Sequence, residues 1–352
     1  MKKAITLFGS RDPIPEGRDA SEPQSPFQTE KFWGYAAVAF VAVIAASVPV
    51  PENNRSEAFI ILSLIGMALI FLGRIVLLAV RRHPSPFHRL LLDIRAHWLW
   101  VLTSCMVFLS LAITLETGSG IKKSIPEVRP FYADPFLIDV DRWIFGTDPW
   151  RITHALCGWA TPAIAWLYDG WHFVHIGLAV WIALSFDEMR KIRFAICFQL
   201  SWLLLGGLTA TLASSVGPIM VADFYADNSF LPLIAELQAS VPRVLAVKDI
   251  LISTMDNPTL ISGISAMPSM HVAIAVLFAL WLQSYRKPIL TVIGWAYALL
   301  IYLGSIHLGW HYATDGPVSA IFVLLVWWVS GKGLSSLSDR LETPEKPASV
   351  LS

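Results

Sequence analysis

Pro268-Ser269-Met270-His271 opens an apolar run, Val272 to Leu282, that contains no charged residue. With its flanks the run covers 268–285, which predicts a helix entering a membrane. Pro268 suits the first turn of such a helix. Ser269, Met270 and His271 are then expected at its N-terminus, where backbone N–H groups and the positive dipole end favour phosphate. Further on, Leu308-Gly309-Trp310-His311-Tyr312-Ala313-Thr314-Asp315 introduces another apolar run. Histidines and an aspartate at membrane-helix ends are costly and point to function.

Outward from these stretches, eight apolar runs are long enough to span, each needing about 20 residues. They cover 32–50, 58–80, 97–115, 168–186, 192–215, 268–285, 288–306 and 312–331. The composition agrees: 55% of the 352 residues are hydrophobic, 15% are charged, and the mean hydropathy is +0.59. An all-α, polytopic membrane bundle of about eight transmembrane helices is expected. The expected divisions are a flexible tail (1–31), two N-terminal spans with their loop (32–96), a membrane core (97–331) and a second tail (332–352). Lys2 and Lys3 are not followed by an apolar region, so no cleavable signal peptide is expected. Lys and Arg balance Asp and Glu at 26 each, so no field argues for nucleic acid. Cys105, Cys157 and Cys197 lie in or beside apolar runs without metal-ligand spacing and read as core hydrophobes.

Basic residues orient the chain. With the N-terminus inside, inner segments hold 17 Lys and Arg against 8 in outer segments, Arg74 lying within a span. Both termini are thus expected in the cytoplasm, and His271, His311 and Asp315 all fall on the outer face. Two outer segments, 116–167 and 216–267, are too long for simple turns. Ala155 to Leu167 suggests an amphipathic surface helix, and the segments together suggest a cap over the site.

If helical, the i,i+4 spacing of His311 and Asp315 puts both on one face, although Pro317 disfavours helical geometry at Gly316. The carboxylate accepts the imidazole Nδ1–H and leaves Nε2 as a nucleophile. His271, on a neighbouring helix, is placed to protonate a leaving oxygen. The trio makes a phosphoryl-transfer site for which no metal or other cofactor is required. The rival readings are a structural polar cluster and a lipid transporter, which predicts broken helices and repeat symmetry. His154, His172, His175 and His307 read as interfacial polar groups.

Pro268-Ser269-Met270-His271 and the His311 to Asp315 segment resemble two signatures of the type 2 phosphatidic acid phosphatase superfamily. The resemblance implies a six-helix core, here runs three to eight, with His311 as nucleophile, His271 as acid and Asp315 as support. Two departures stand out. The phosphatases' Ser-Arg pair before the nucleophile is replaced by Gly304 and Ser305. Their Lys-x6-Arg-Pro signature is expected where Ser214-Ser215-Val216-Gly217-Pro218 stands. Both departures resemble the inositol phosphorylceramide synthase branch, which implies transfer of a head group between lipids. Lys122 and Arg129-Pro130 fit the Lys-x6-Arg-Pro spacing but lie one helical hairpin early.

The cation that replaces the missing arginine is sought among Lys122, Arg129, Arg142, Lys248 and His307. Ser269, which either caps the helix or donates to phosphate, forms the expected phosphate-binding set with Ser215, Gly217, Lys122 and Arg129. The expected partners are membrane lipids, and a bacterial plasma membrane is the expected location.

Overall fold

The computed structural model describes residues 29–54, 57–255 and 263–342. Among them every regular element is helical and no strand occurs. The chain is a helical membrane bundle. The first part comprises α1 (Thr29–Ser47), α2 (Ala58–Val80), α3 (Pro86–Ala96) and α4 (Trp98–Val128). Short helices follow: α5 (Asp134–Phe145), α6 (Pro149–Cys157) and α7 (Thr161–Asp169). Next come α8 (Trp171–Ala183) and α9 (Glu188–Leu200), the latter continuing through a π-helical turn to Leu212. After α10 (Leu231–Ser240) and α11 (Pro242–Ser253), the chain closes with α12 (Met270–Gln283), α13 (Pro288–His307) and α14 (Asp315–Glu342).

The stretch that decides the fold becomes its centre. In α12, every residue from Met270 to Leu282 is buried except His271 and Phe278. A helix apolar all round belongs inside a bundle, and α12 packs against α9, α13 and α14. Gly294 lets α13 approach closely, because a Cβ there would lie 2.7 Å from the Ala279 Cα. α1 packs on α4 and α9, and α2 on α4.

A first correction concerns the bounds of the eight expected runs; the helical membrane bundle itself stands. Five described helices are long and apolar enough to cross a membrane: α2, α4, the helix from Glu188 to Leu212, α13, and α14 from Asp315 to Gly333. Lys31–Ser47 and Met270–Gln283 are apolar but shorter, and run 168–186 reduces to the 13-residue α8. At 1.5 Å per residue, the 14 residues of α12 reach only about 21 Å. Its length fits a buried core helix, ended before Pro288 by the turn at 284–287.

A second correction concerns the segment 116–167. The helix α4 does not end at 115 but runs to Val128, with Pro126 inside it. Three of its polar residues are held by partners inside the bundle. Glu116 accepts the Phe59 N–H, Thr117 donates to the Ala45 carbonyl, and Ser124 Oγ accepts from Asn54. Burial with partners lets such residues stay helical. The amphipathic helix expected over Ala155 to Leu167 is split between α6 and α7 by a 3-10 turn at Gly158–Ala160. Of the expected tails, residues 1–28 and 343–352 lie outside the described residues, while α1 begins at Thr29 and α14 continues to Glu342.

Candidate active site

Three helix ends converge: the N-terminus of α12, the C-terminus of α13 and the N-terminus of α14. The antiparallel course of these helices brings His271, His307 and Asp315 to one end of the bundle. α12 begins at Met270, two residues after Pro268, the residue expected in its first turn. Ser269 is the N-cap, and its side chain accepts the Val272 N–H. The N–H groups of Met270 and His271 are left without intrahelical acceptors, as at any helix start. Ser269 is fully buried in this capping role.

His311 and Asp315 do not share a helix. α14 starts at Asp315, and residues 311–314 form a turn. The contact expected from helical spacing forms all the same: His311 Nδ1 lies 3.1 Å from Asp315 Oδ2. That oxygen also accepts the Tyr312 N–H at 3.1 Å, capping the helix from its own first residue. His311 Nδ1 lies 2.8 Å from the Ala266 carbonyl oxygen as well. A carbonyl oxygen only accepts, so Nδ1 carries a proton, and in the neutral imidazole Nε2 is then the nitrogen with the free lone pair. Both residues are buried.

His271 faces this pair, its ring centroid 5.9 Å from that of His311 at an interplanar angle of 63°. Tyr168 stacks on one side of it at 4.8 Å, Trp171 packs against it at 4.3 Å, and His172 meets it edge-on. The Trp171 indole N–H donates to the His271 carbonyl, tying α8 to the start of α12.

Of the five expected cations, Lys122 is the one whose charge acts on His271. Gly263 packs directly on Lys122, since a Cβ there would stand 3.0 Å from the Lys122 Cβ. Among the described residues Lys122 has no hydrogen-bond or ion-pair partner. The others are engaged. The Arg129 guanidinium stacks over Tyr132 at 4.4 Å and is exposed. Arg142 pairs with Asp148 at 2.6 Å, and Lys248 pairs with Asp223 and Asp249. His307 stacks on His154 and bonds Thr161 and Thr153. His175 is not interfacial as expected but buried beside Trp171.

The Lys122 to Pro130 segment and the Ser214 to Pro218 turn, separated by a hairpin in sequence, are neighbours in space. Ser214 Oγ donates to the Arg129 carbonyl, and the Ser214 carbonyl accepts the N–H groups of Tyr132 and Ala133. Ser215 is buried, and its Oγ accepts the Met267 N–H while its carbonyl accepts the Ala266 N–H. It therefore holds the strand-like segment whose Ala266 carbonyl fixes His311. Gly217 has φ +90°, and a Cβ would fall 2.6 Å from the Trp310 carbonyl oxygen, so only glycine fits. Its N–H donates to Asp134 Oδ1 at 2.9 Å.

Two residues on α5 went unnoticed in the sequence. Asp134 accepts from Val216 N, Gly217 N, Tyr225 OH and Tyr312 OH. Asp141 accepts from Ala313 N at 2.6 Å and Thr314 N at 3.1 Å. An aspartate followed by Pro135 reads as a turn former, and its acceptors' partners are backbone groups that leave no trace in composition.

A family model described as the PAP2 superfamily, the type 2 phosphatidic acid phosphatases, matches residues 135–329, more than half of the chain. No curated protein and no solved structure gives a significant match.

Proposed function

The chain belongs to the PAP2 superfamily, and from that premise we propose that it transfers the phosphoryl group of a membrane lipid phosphate through a phosphohistidine at His311. Membership supports a phosphatase-type or phosphotransferase-type membrane enzyme in general. The single observation that carries the finer reading is the pair of acceptors on His311 Nδ1, Ala266 O and Asp315 Oδ2, which in the neutral imidazole leave Nε2 with the free lone pair.

In this reading Nε2 attacks phosphorus, a P–N bond forms and the P–O bond to the leaving group breaks. His271 gives its proton to the departing oxygen. The acceptor's O–H then loses its proton to His271 as its oxygen attacks phosphorus, and the P–N bond breaks to regenerate His311. Asp315 holds the imidazole and stabilises the charge that grows on it. Lys122 and the first N–H groups of α12 face the phosphoryl oxygens.

A lipid substrate is supported by an apolar cleft of about 540 Å³ between α1, α4 and the helix from Glu188 to Leu212. Val48, Ile121, Ile125, Leu204 and Gly207 line it, and Ile121 immediately precedes Lys122. Its volume lies in the ordinary range of ligand sites. The distribution of Lys and Arg favours cytoplasmic termini and a site on the outer face, in keeping with a bacterial plasma membrane.

Transfer to a lipid or polyol acceptor, as in the inositol phosphorylceramide synthase branch, is a second reading. Gly304 and Ser305 favour it, since the phosphatases' arginine is missing there. Purified protein given a labelled lipid phosphate, with and without an alcohol acceptor, tests both. Label in the alcohol supports transfer, and free phosphate at one rate regardless of acceptor supports hydrolysis. Label released or transferred undiminished by His311→Ala would contradict the nucleophile in either case. A protein that only moves lipid between leaflets leaves all label in place.

A further inference from the structure

The helix α5 contributes no side chain to the reacting groups, yet its carboxylates hold both halves of the site. Asp134 and Asp141 are seven residues apart and project from one face. Both are buried. Asp134 binds the 216–217 turn through its N–H groups and the far side of the nucleophile turn through Tyr312 OH at 2.7 Å. Asp141 binds the next two residues of that turn, Ala313 and Thr314.

The two acceptors that fix His311 are attached to these contacts. Ala266 is hydrogen-bonded to Ser215, the neighbour of Val216. Asp315 directly follows the turn that Tyr312, Ala313 and Thr314 suspend from α5. The separation of the Ala266 carbonyl from the Asp315 carboxylate is thus measured along one rigid helix.

We propose that Asp134 and Asp141 are positioning residues for the nucleophile. They keep the two Nδ1 acceptors in register, so His311 stays in one tautomer with Nε2 aimed at phosphorus. This rests on the reading of His311 as nucleophile. A purely structural carboxylate responds alike to the loss of any partner, whereas a positioning carboxylate does not. Tyr312 and Tyr225 each give Asp134 one hydrogen bond, at 2.7 and 2.8 Å, but only Tyr312 adjoins His311.

The test uses the full chain in detergent micelles, with Tyr312→Phe, Tyr225→Phe and Asp141→Asn. Each Tyr→Phe change is expected to lower the thermal midpoint by a few degrees. Tyr312→Phe and Asp141→Asn should cut kcat about 10- to 100-fold with KM little changed, because small misplacements of reacting groups cost that much. Tyr225→Phe should leave kcat within about twofold. In ¹⁵N-histidine spectra, His311 should be a single Nδ1–H tautomer in the wild type and a mixture in Tyr312→Phe and Asp141→Asn. Equal kcat losses from the two Phe variants, or unchanged kcat in folded Tyr312→Phe and Asp141→Asn, would overturn the proposal. The spectra need no turnover, so they test the clamp even if no phosphate ester is turned over; mixed tautomers in the wild type would overturn it.

Discussion

His311 Nδ1 stands 3.1 Å from Asp315 Oδ2 although the turn 311–314 separates His311 from the helix that Asp315 begins. Four residues of helix would produce the same meeting, but here a suspended turn does so, and this leaves the Tyr312 N–H for the same carboxylate oxygen.

Asp315→Asn should therefore damage chemistry more than binding. The amide loses the charge that supports an imidazolium and presents a donor where two donors already point. A fall in kcat on the order of 10³-fold is expected, as for orienting carboxylates in catalytic triads. Steady-state phosphate release reads it, and a loss confined to KM would count against the assignment.

Lys122 and Arg129 fit one spacing pattern but face different surroundings. Lys122→Met should lower kcat/KM about 10²-fold, the usual scale for a group stabilising transition-state charge. Arg129→Met, which removes a guanidinium lying over Tyr132, should change it less than about threefold. Equal effects from the two would mean that Lys122 is not the site's cation.

Burial holds the Asp141 carboxyl above the usual carboxylate range. It outweighs the N–H bonds from Ala313 and Thr314, and the charge of Asp148 adds to it. The folded chain therefore binds this proton more tightly than the unfolded chain. The resulting stability is fully present below about pH 4 and is lost as pH rises through the raised value. The thermal-midpoint advantage of wild type over Asp141→Asn should accordingly shrink from acid towards neutral pH. An advantage that grows along that course contradicts the sign.

Leu204 is partly exposed on the wall of the apolar cleft. Leu204→Trp should raise KM for a long-chain lipid phosphate about tenfold, the effect of losing roughly 1.4 kcal/mol of apolar contact. A short-chain, water-soluble phosphate ester should be turned over as before. If both esters suffer alike, the cleft does not hold the acyl chain.

The proposed trio is legible because His271, His311 and Asp315 interrupt apolar sequence at helix ends, where a polar group demands a reason. Their supports are not. Glu116, Thr117 and Ser124 read as loop because composition cannot show that Phe59, Ala45 and Asn54 would pair with them inside the bundle. Ser269, Ser215 and Gly217 are expected at the phosphate, Ser269 equally as a helix cap. Local geometry engages them in capping Val272, holding Met267 and donating to Asp134.

The central claim is a covalent phosphoryl group on His311. Rapid quench of the enzyme with a labelled lipid phosphate, kept at alkaline pH and followed by peptide mass spectrometry, tests it most directly. Phosphate is expected on the imidazole of His311 and none in His311→Ala, together with loss of turnover. Phosphate on another residue, or full turnover by a folded His311→Ala protein, would contradict it.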